Sequence, residues 1–566
     1  MIILGLNHGE INSSAAVIKD GIVVAGSPEE RFNRQQKTKS FPKQAVEFCL
    51  KTINIKLHDC DCIAQGWNPG AYWQNYNQSI SSTRIKREDY LYTIVDNLYS
   101  ITDRIPPKWV LMSLSEKNLP PIYYVQHHLT HAANAFFLSP FKKAAILTCD
   151  WRGEFETTTL GLGQENKIDI IATQSMPHSL GMFYATYTEL LGYRRDNDEW
   201  KVMALSAFDV DYREQLEKIR STIKLTDDGL FELDQSYYQG ALLEKPQLHT
   251  EKLTKLLNYD KNNKSTLTES DYAIAKAMQI VAEEITTHIL NHLYKKTLCE
   301  NVVLGGGFFM NSVFNGKVTK KTPFKNIYIS HSPADVGNSI GAALYVAHCI
   351  HNQNRSYQFN TSYLGPSFSN DEIQTVLERR KIKYDKVDNI EKKIATILAD
   401  DQIIAVFNGR SEFGERALGN RSILADPRKA QMKDRINSAI KYRESYRPFA
   451  PSVLQEKVHI IFDVPEGFES NFMEKVVPIK KEFHEKVAAI THFDGSGRLQ
   501  TVKKEHNKHF HEIISEFENI TGLPVVLNTS FNINGEPIVL SPDDALNTFY
   551  NSGLEYLIMN NFLIRK

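Results

Sequence analysis

The chain has 566 residues and carries 66 Lys plus Arg against 67 Asp plus Glu, a formal net charge of −1. This balance leaves no global field to attract nucleic acid or an anionic membrane, so any anion site has to be local. The length allows about two to four domains with ample core, and no apolar run is long enough to span a bilayer.

The opening stretch reaches Glu10 without a basic leader, and the six cysteines are scattered. Both features predict a soluble protein of the reducing cytoplasm. Residues 2–6 and 14–18 read as strands, joined to a third at 22–25 through Asp20-Gly21, a two-residue hairpin signal. Asn7-His8-Gly9-Glu10 forms a tight polar connection between the first two. Residues 41–49 read as a helix, and residues 72–96, polar and aromatic, as a surface elaboration.

The stretch Gln126-His127-His128-Leu129-Thr130-His131-Ala132-Ala133-Asn134-Ala135-Phe136-Phe137 has no Gly or Pro. Its alanines and aromatics suit a buried helix, on which His127 and His131, four apart, share a face. Two imidazoles aimed at one point suit a borderline divalent metal such as iron or zinc, if oxygen ligands arrive from elsewhere. A pair of satisfied core or surface histidines is the competing reading. Asp150, at the end of the apolar run 144–149, and Asp335, in a turn leading into a small-residue helix, are the expected oxygen ligands.

The opening pattern recurs as strands at 144–149, 157–161 and 168–172, with Asp150-Trp151-Arg152-Gly153-Glu154 in the place of the first loop. A unit that appears twice predicts a duplicated α/β architecture with both loops on one cleft. It resembles the superfamily that holds actin, sugar kinases and the large heat-shock chaperones. Residues 207–265 show no sustained period and read as an insertion. From 271 to 295 a helical period runs through Ile274, Met278, Val281, Ile285 and Ile289. A strand at 302–304 empties into Gly305-Gly306-Gly307-Phe308-Phe309-Met310-Asn311. Bare backbone there either lets a phosphate or ribose approach a helix start or makes a tight turn.

A further strand at 327–330 precedes the Asp335 turn, and the polar stretch 351–360 is the expected domain boundary, dividing 1–355 from 356–566. Beyond it the charge changes. Between Gly409 and Phe449 there are ten Lys or Arg against five Asp or Glu, a surplus of five. The arginines lie among Gly, Ala, Leu and Pro, which suit loops packed around something better than a solvated helix. Arg recognises planar phosphate or carboxylate groups bidentately, so a phosphate-rich ligand is the economical inference. A strand at 524–527 then leads into Asn528-Thr529-Ser530-Phe531-Asn532. These groups either hold a small amide or acyl oxygen or close a polar turn.

Gly409 to Arg428, Lys441, Arg443, Tyr446-Arg447-Pro448-Phe449-Ala450-Pro451, Asn528 to Asn532 and His127-His128-x-x-His131 together resemble carbamoyltransferases of the nodulation-factor, cephamycin and tobramycin type. The resemblance implies an actin-like first part shared with tRNA threonylcarbamoyl transferases and a YrdC-like second part. It implies an ATP-dependent O-carbamoyltransferase of natural-product biosynthesis that makes carbamoyl-adenylate from carbamoyl phosphate and ATP, then carbamoylates a hydroxyl of a small molecule. His127, His131, Asp150 and Asp335 would hold the divalent metal, with Fe2+ ahead of Zn2+, Mg2+ or Mn2+. Gly305, Gly306, Gly307 and Asn311 would lie at the nucleotide. Lys441, Arg447, Asn528 and Ser530, helped by Arg416 and Arg421, would hold carbamoyl phosphate.

Three departures from the family stand out. Gly414-Glu415-Arg416 replaces Gly-Pro-Arg, and Asp150-Trp151 replaces Asp-Gly. In the first loop Ile11-Asn12 stand where the family has His-Asp, so His8 is the expected general base with Glu10 in reserve. An N-carbamoyl or tRNA threonylcarbamoyl-type transferase and a catalytically inactive nucleotide-binding scaffold are the alternatives. Neither nucleic acid nor membrane is expected as a partner, and self-association is left open.

Overall fold

The computed structural model describes residues 1–9, 12–68, 107–240, 247–259, 266–355, 357, 361–442 and 446–566. The expectations placed on Glu10, on residues 72–96 and on Arg443 lie outside them. Strands β1 (Ile2–Asn7), β2 (Ser14–Lys19) and β3 (Ile22–Pro28) form an antiparallel meander. Asp20 and Gly21 take φ of 51° and 78° at the β2–β3 turn, which suits the twist of the two strands. Helix α1 (Lys43–Thr52) covers this sheet, burying Ala45, Val46, Cys49 and Leu50. Strands β4 (Cys62–Gln65) and β5 (Ile122–Tyr124) then add in parallel, giving the order β3-β2-β1-β4-β5.

Helix α2 (His127–Phe137) follows, and then the plan repeats. Strands β6 (Lys143–Cys149), β7 (Glu156–Gln164) and β8 (Lys167–Ser175) form a second meander, and β9 (Asn301–Gly305) and β10 (Asn326–Ile329) add in parallel. The order β10-β9-β6-β7-β8 repeats that of the first sheet when both are read from their first strands. The duplication is therefore one of topology. It places the carboxyl ends of β1 and β6, with the polar loops that follow them, in equivalent positions.

Between β8 and β9 run helices α3 (Glu199–Leu205) and α4 (Glu269–Thr297). The described residues between 207 and 259 carry more secondary structure than their composition predicts. They form a helix at Arg213–Arg220, a hairpin of Ile223–Leu225 with Phe231–Leu233, and a helix at Glu251–Leu257, burying Leu216, Ile219, Phe231, Leu233, Leu253 and Leu257 in the core that α4 serves. Each element is short and contributes about two apolar contacts, so no long period registers in the sequence. Helix α5 (Asn338–Tyr345) packs tightly against the first sheet and α2. A Cβ on Gly5 of β1 would lie 1.9 Å from Ser339 O, and one on Gly341 would lie 2.0 Å from Thr130 O. Small residues are what let these backbones meet.

The second half is built on a nine-stranded mixed sheet. From one edge its strands are Asp385–Lys386, Phe562–Arg565, Tyr556–Met559, Ile404–Phe407, Arg421–Ala425, Val525–Ser530, Ala450–Leu454, Ser496–Val502 and Lys475–Pro478. Its core draws only on residues 373–564, and the whole chain is mixed α/β. Among the described residues no helix is long and apolar enough to cross a membrane.

Candidate active site

Helix α2 is fixed at its amino end by Glu154. The His127 amide lies 3.2 and 2.9 Å from the two carboxylate oxygens, and the Asn68 amide donates to the first at 2.6 Å. A negative charge there complements the helix dipole. The helix then presents His127 and His131 side by side, their Nε2 atoms 3.0 Å apart. Asp150, just past β6, and Asp335, in the turn before α5, come up against them. His131 Nε2 is 2.8 Å from Asp150 Oδ2 and 3.3 Å from Asp335 Oδ1, and His127 Nε2 is 3.7 and 3.4 Å from the same atoms. Asp150 is itself oriented by the amides of Trp151 at 2.6 Å and Gly307 at 3.2 Å.

One donor atom from each of the four side chains lies within 4.8 Å of all the others. Asp335 Oδ1 is buried and faces only the two imidazole Nε2 atoms among the contacts of the described residues, and those two nitrogens point at each other. These are the features of a cation cradle, and two nitrogens with two carboxylate oxygens suit a borderline divalent metal. Burial alone would depress His127 and raise Asp150. The mutual ion pairing wins, holding His127 well above the ordinary imidazole value and Asp150 well below the carboxylate one. His128 is turned away, its Nδ1 meeting Thr148 Oγ1 at 2.7 Å, and burial holds it well below the usual imidazole range. Glu154 touches the helix rather than the cluster. Glu154→Ala is expected to weaken metal retention about 10–100-fold, read as metal content by elemental analysis after dialysis against graded chelator.

The cluster opens into one continuous cavity of about 1740 Å³ whose wall comes from both halves of the chain. His127, Asp150 and Asp335 line it from the first half, and Arg416, Lys441, Arg447, Asn528 and Ser530 from the second. Gly307 and Asn311 also line it, whereas Gly305 and Gly306 do not. Packing explains those two. A Cβ on Gly305 would lie 2.7 Å from His131 O, and Gly306, at φ 96°, would carry one 2.1 Å from Cys149 O.

At the cation end, the Lys441 ammonium is buried and donates to Ser530 O at 2.6 Å, Ser530 Oγ at 3.2 Å, Asn532 O at 2.9 Å and Asn532 Oδ1 at 2.7 Å. Asn528 spends its amide N–H groups on Ala417 O, Ser452 Oγ and Gln500 Oε1, leaving Oδ1 buried without a donor among the described residues.

Two expectations need correction. Arg421 is not on the cavity wall. Its guanidinium is fully buried, lies 3.7 Å from the Phe407 ring centroid and donates to the backbone carbonyls of Asn408, Asn420, Gly409 and Pro366. Its Nη groups tie loops together inside the fold, away from the cavity. Arg421→Ala is expected to cost about 3 kcal/mol or more of stability, measured by denaturant unfolding, with turnover per folded molecule unchanged. His8 is also off the wall. It is 5% exposed, its ring packed edge-on against Phe41 with centroids 5.1 Å apart, while Gly9 N donates to Lys39 O. That packing turns the loop so that Asn12, rather than His8, meets the cavity.

Sequence reasoning missed the stretch Arg194-Arg195-Asp196-Asn197-Asp198-Glu199-Trp200-Lys201, a loop running into the first turn of α3, which lines the cavity through Arg195 to Lys201, and Lys37 and Lys39 beside it. A dense run of both charges holding a single tryptophan was the available signal. Burial raises the carboxyl pKa of Asp196 despite neighbouring Lys37 and Arg195, and that of Glu199.

A family model described as Carbamoyltransferase N-terminus matches residues 2–344, and one described as Carbamoyltransferase C-terminus matches residues 395–566. The chain belongs to the carbamoyltransferase family. This carbamoyltransferase is 35% identical to the protein sll1178 of Synechocystis sp., over 100% of this chain and 96% of that one. It is 32% identical to the nodulation protein NolNO of Sinorhizobium fredii, over 98% and 79% of the two chains. With the nodulation protein NolO of Bradyrhizobium diazoefficiens it shares 35% identity over 78% and 79%. Carbamoyl transfer is thus the class of reaction, and the two motif-bearing ends of the cavity fall in the two matched segments of the carbamoyltransferase.

Proposed function

We propose that the protein is an ATP-dependent O-carbamoyltransferase with an actin-like first half (1–355) and a YrdC-like second half (356–566). At the cation end, carbamoyl phosphate is hydrolysed to carbamate and phosphate. A carbamate oxygen then attacks the α-phosphorus of ATP and pyrophosphate leaves, giving carbamoyl-adenylate. Lys441, Arg416 and Arg447 counter the negative charge that accumulates in this step, and because they are already fixed they need not reorganise. Asn528 Oδ1, buried and lacking a donor, accepts a hydrogen bond from the carbamoyl N–H2 group.

The mixed anhydride moves through the cavity to the other end, where the hydroxyl of a small acceptor attacks the carbamoyl carbon and AMP leaves. Gly307 and Asn311 lie against the nucleotide there. His127, His131, Asp150 and Asp335 hold a divalent metal, iron in preference to zinc, magnesium or manganese, which when bound supplies positive charge against the nucleotide phosphate. The observation that carries the reading is the single cavity that the metal cradle and the Lys441 cluster both line. The test is incubation with ATP, carbamoyl phosphate and a panel of hydroxylated metabolites, followed by mass spectrometry. Carbamoylated product, AMP and pyrophosphate are expected together. Pyrophosphate release that is indifferent to carbamoyl phosphate would sink the proposal.

A further inference from the structure

The loop leading into α3, with the first turn of that helix, belongs to the metal-bearing half, yet it reaches the opposite end of the cavity. Two contacts fix it there. The Arg447 guanidinium lies over the Trp200 indole, with Cζ 3.6 Å from the ring centroid, and the hydroxyls of Tyr193 and Tyr446 are 3.0 Å apart. Trp200 is held in turn, its Nε1 donating to Asn197 O at 2.9 Å. Both Trp200 and Arg447 line the cavity.

We propose that Trp200 is a positioning residue for carbamoyl phosphate: it holds the Arg447 guanidinium flat, so a residue of one half completes the anion grip of the other. This rests on the reading of Arg447 as a ligand of carbamoyl phosphate. The physical argument is geometric. A guanidinium is planar and its five N–H groups point outward in that plane. Stacking on an aromatic face engages none of these N–H groups and fixes the plane of the fork, which lowers the reorganisation that binding an anion demands. Arg421 shows the contrast within the same protein. It too stacks on a ring, Phe407 at 3.7 Å, but its Nη groups donate to backbone carbonyls and it lies away from the cavity. A ring beneath an arginine is therefore common to both sites, and location on the cavity wall separates them.

A positioning role predicts a selective kinetic effect. In the full-length protein, carbamoyl phosphate-dependent pyrophosphate release is measured for Trp200→Ala, Trp200→Phe and, as reference, Arg447→Ala. Trp200→Ala is expected to raise the KM for carbamoyl phosphate about tenfold, the scale of a desolvated cation–π contact. The KM for ATP and the metal content stay near wild type. Trp200→Phe, which keeps a ring face, recovers most of the loss. A wild-type KM for carbamoyl phosphate in Trp200→Ala, alongside a raised one in Arg447→Ala, would overturn this inference and leave the proposed function standing. Equal rises in both KM values, unrelieved in Trp200→Phe, would also overturn it, since that is a packing defect. An unchanged KM in Arg447→Ala, or no carbamoyl phosphate-dependent release by the wild type, would bring down the proposed function and this inference together.

Discussion

Lys441→Ala is expected to lower carbamoyl phosphate-dependent pyrophosphate release by about 10²–10³-fold, the usual loss when one fixed electrostatic stabiliser is removed from a dry site. Lys441 is 4% exposed, and four oxygens from Ser530 and Asn532 hold its ammonium. All four are neutral. They orient the charge at the wall of the cavity that Lys441 and Ser530 both line. A phosphoryl group gaining negative charge beside it is stabilised with no movement of the protein. The same variant is expected to keep its full metal content, because the cradle is assembled from α2, the end of β6 and the turn before α5, whereas the Lys441 ammonium is held by Ser530 and Asn532. Wild-type pyrophosphate release would remove Lys441 from the chemistry. Metal loss on this substitution would show that the two ends of the cavity are one structural unit rather than two.

The parts of this protein that were legible in its sequence are those where local pattern and tertiary demand agree. The two meanders, the Asp20-Gly21 hairpin and the helix carrying His127 and His131 each have a short-range signature, and the sheet topology repeats as the pattern implied. Asp150 and Asp335 were legible because each ends a strand or opens a turn, where a carboxylate has somewhere to point. What sequence reasoning could not reach depends on three-dimensional direction. Arg421 and Arg447 sit in similar company among small and apolar residues, and only the fold sends one into a core of backbone carbonyls and the other to the cavity wall. His8 was read by its proximity to a motif, but packing against Phe41 decides where its ring goes. Trp200 escaped notice because its partner is 247 positions away in the chain (447 − 200).

His131→Ala is expected to empty the metal cradle while sparing adenylate formation, with metal affinity falling by more than the roughly 10–100-fold typical of losing a supporting contact. His131 is fully buried, and its Nε2 lies nearer to Asp150 than that of His127 does, at 2.8 Å against 3.7 Å. Without it, two partly buried carboxylates face each other with one imidazole between them. Like charges so placed oppose ionisation, so one carboxyl takes up a proton and ceases to be a competent ligand. The substitution thus removes one ligand directly and weakens a second through charge. Pyrophosphate release depends on the Lys441 end of the cavity and is expected to remain within about twofold of wild type, whereas carbamoylated acceptor falls to background, on the separation of steps set out for electrostatic stabilisers. Elemental analysis and product mass spectrometry on one preparation decide the matter. Unchanged metal content would mean that the four converging side chains are a hydrogen-bonded cluster and no cradle. Lost metal with undiminished transfer would mean that the cation is structural, and that the acceptor reacts without it.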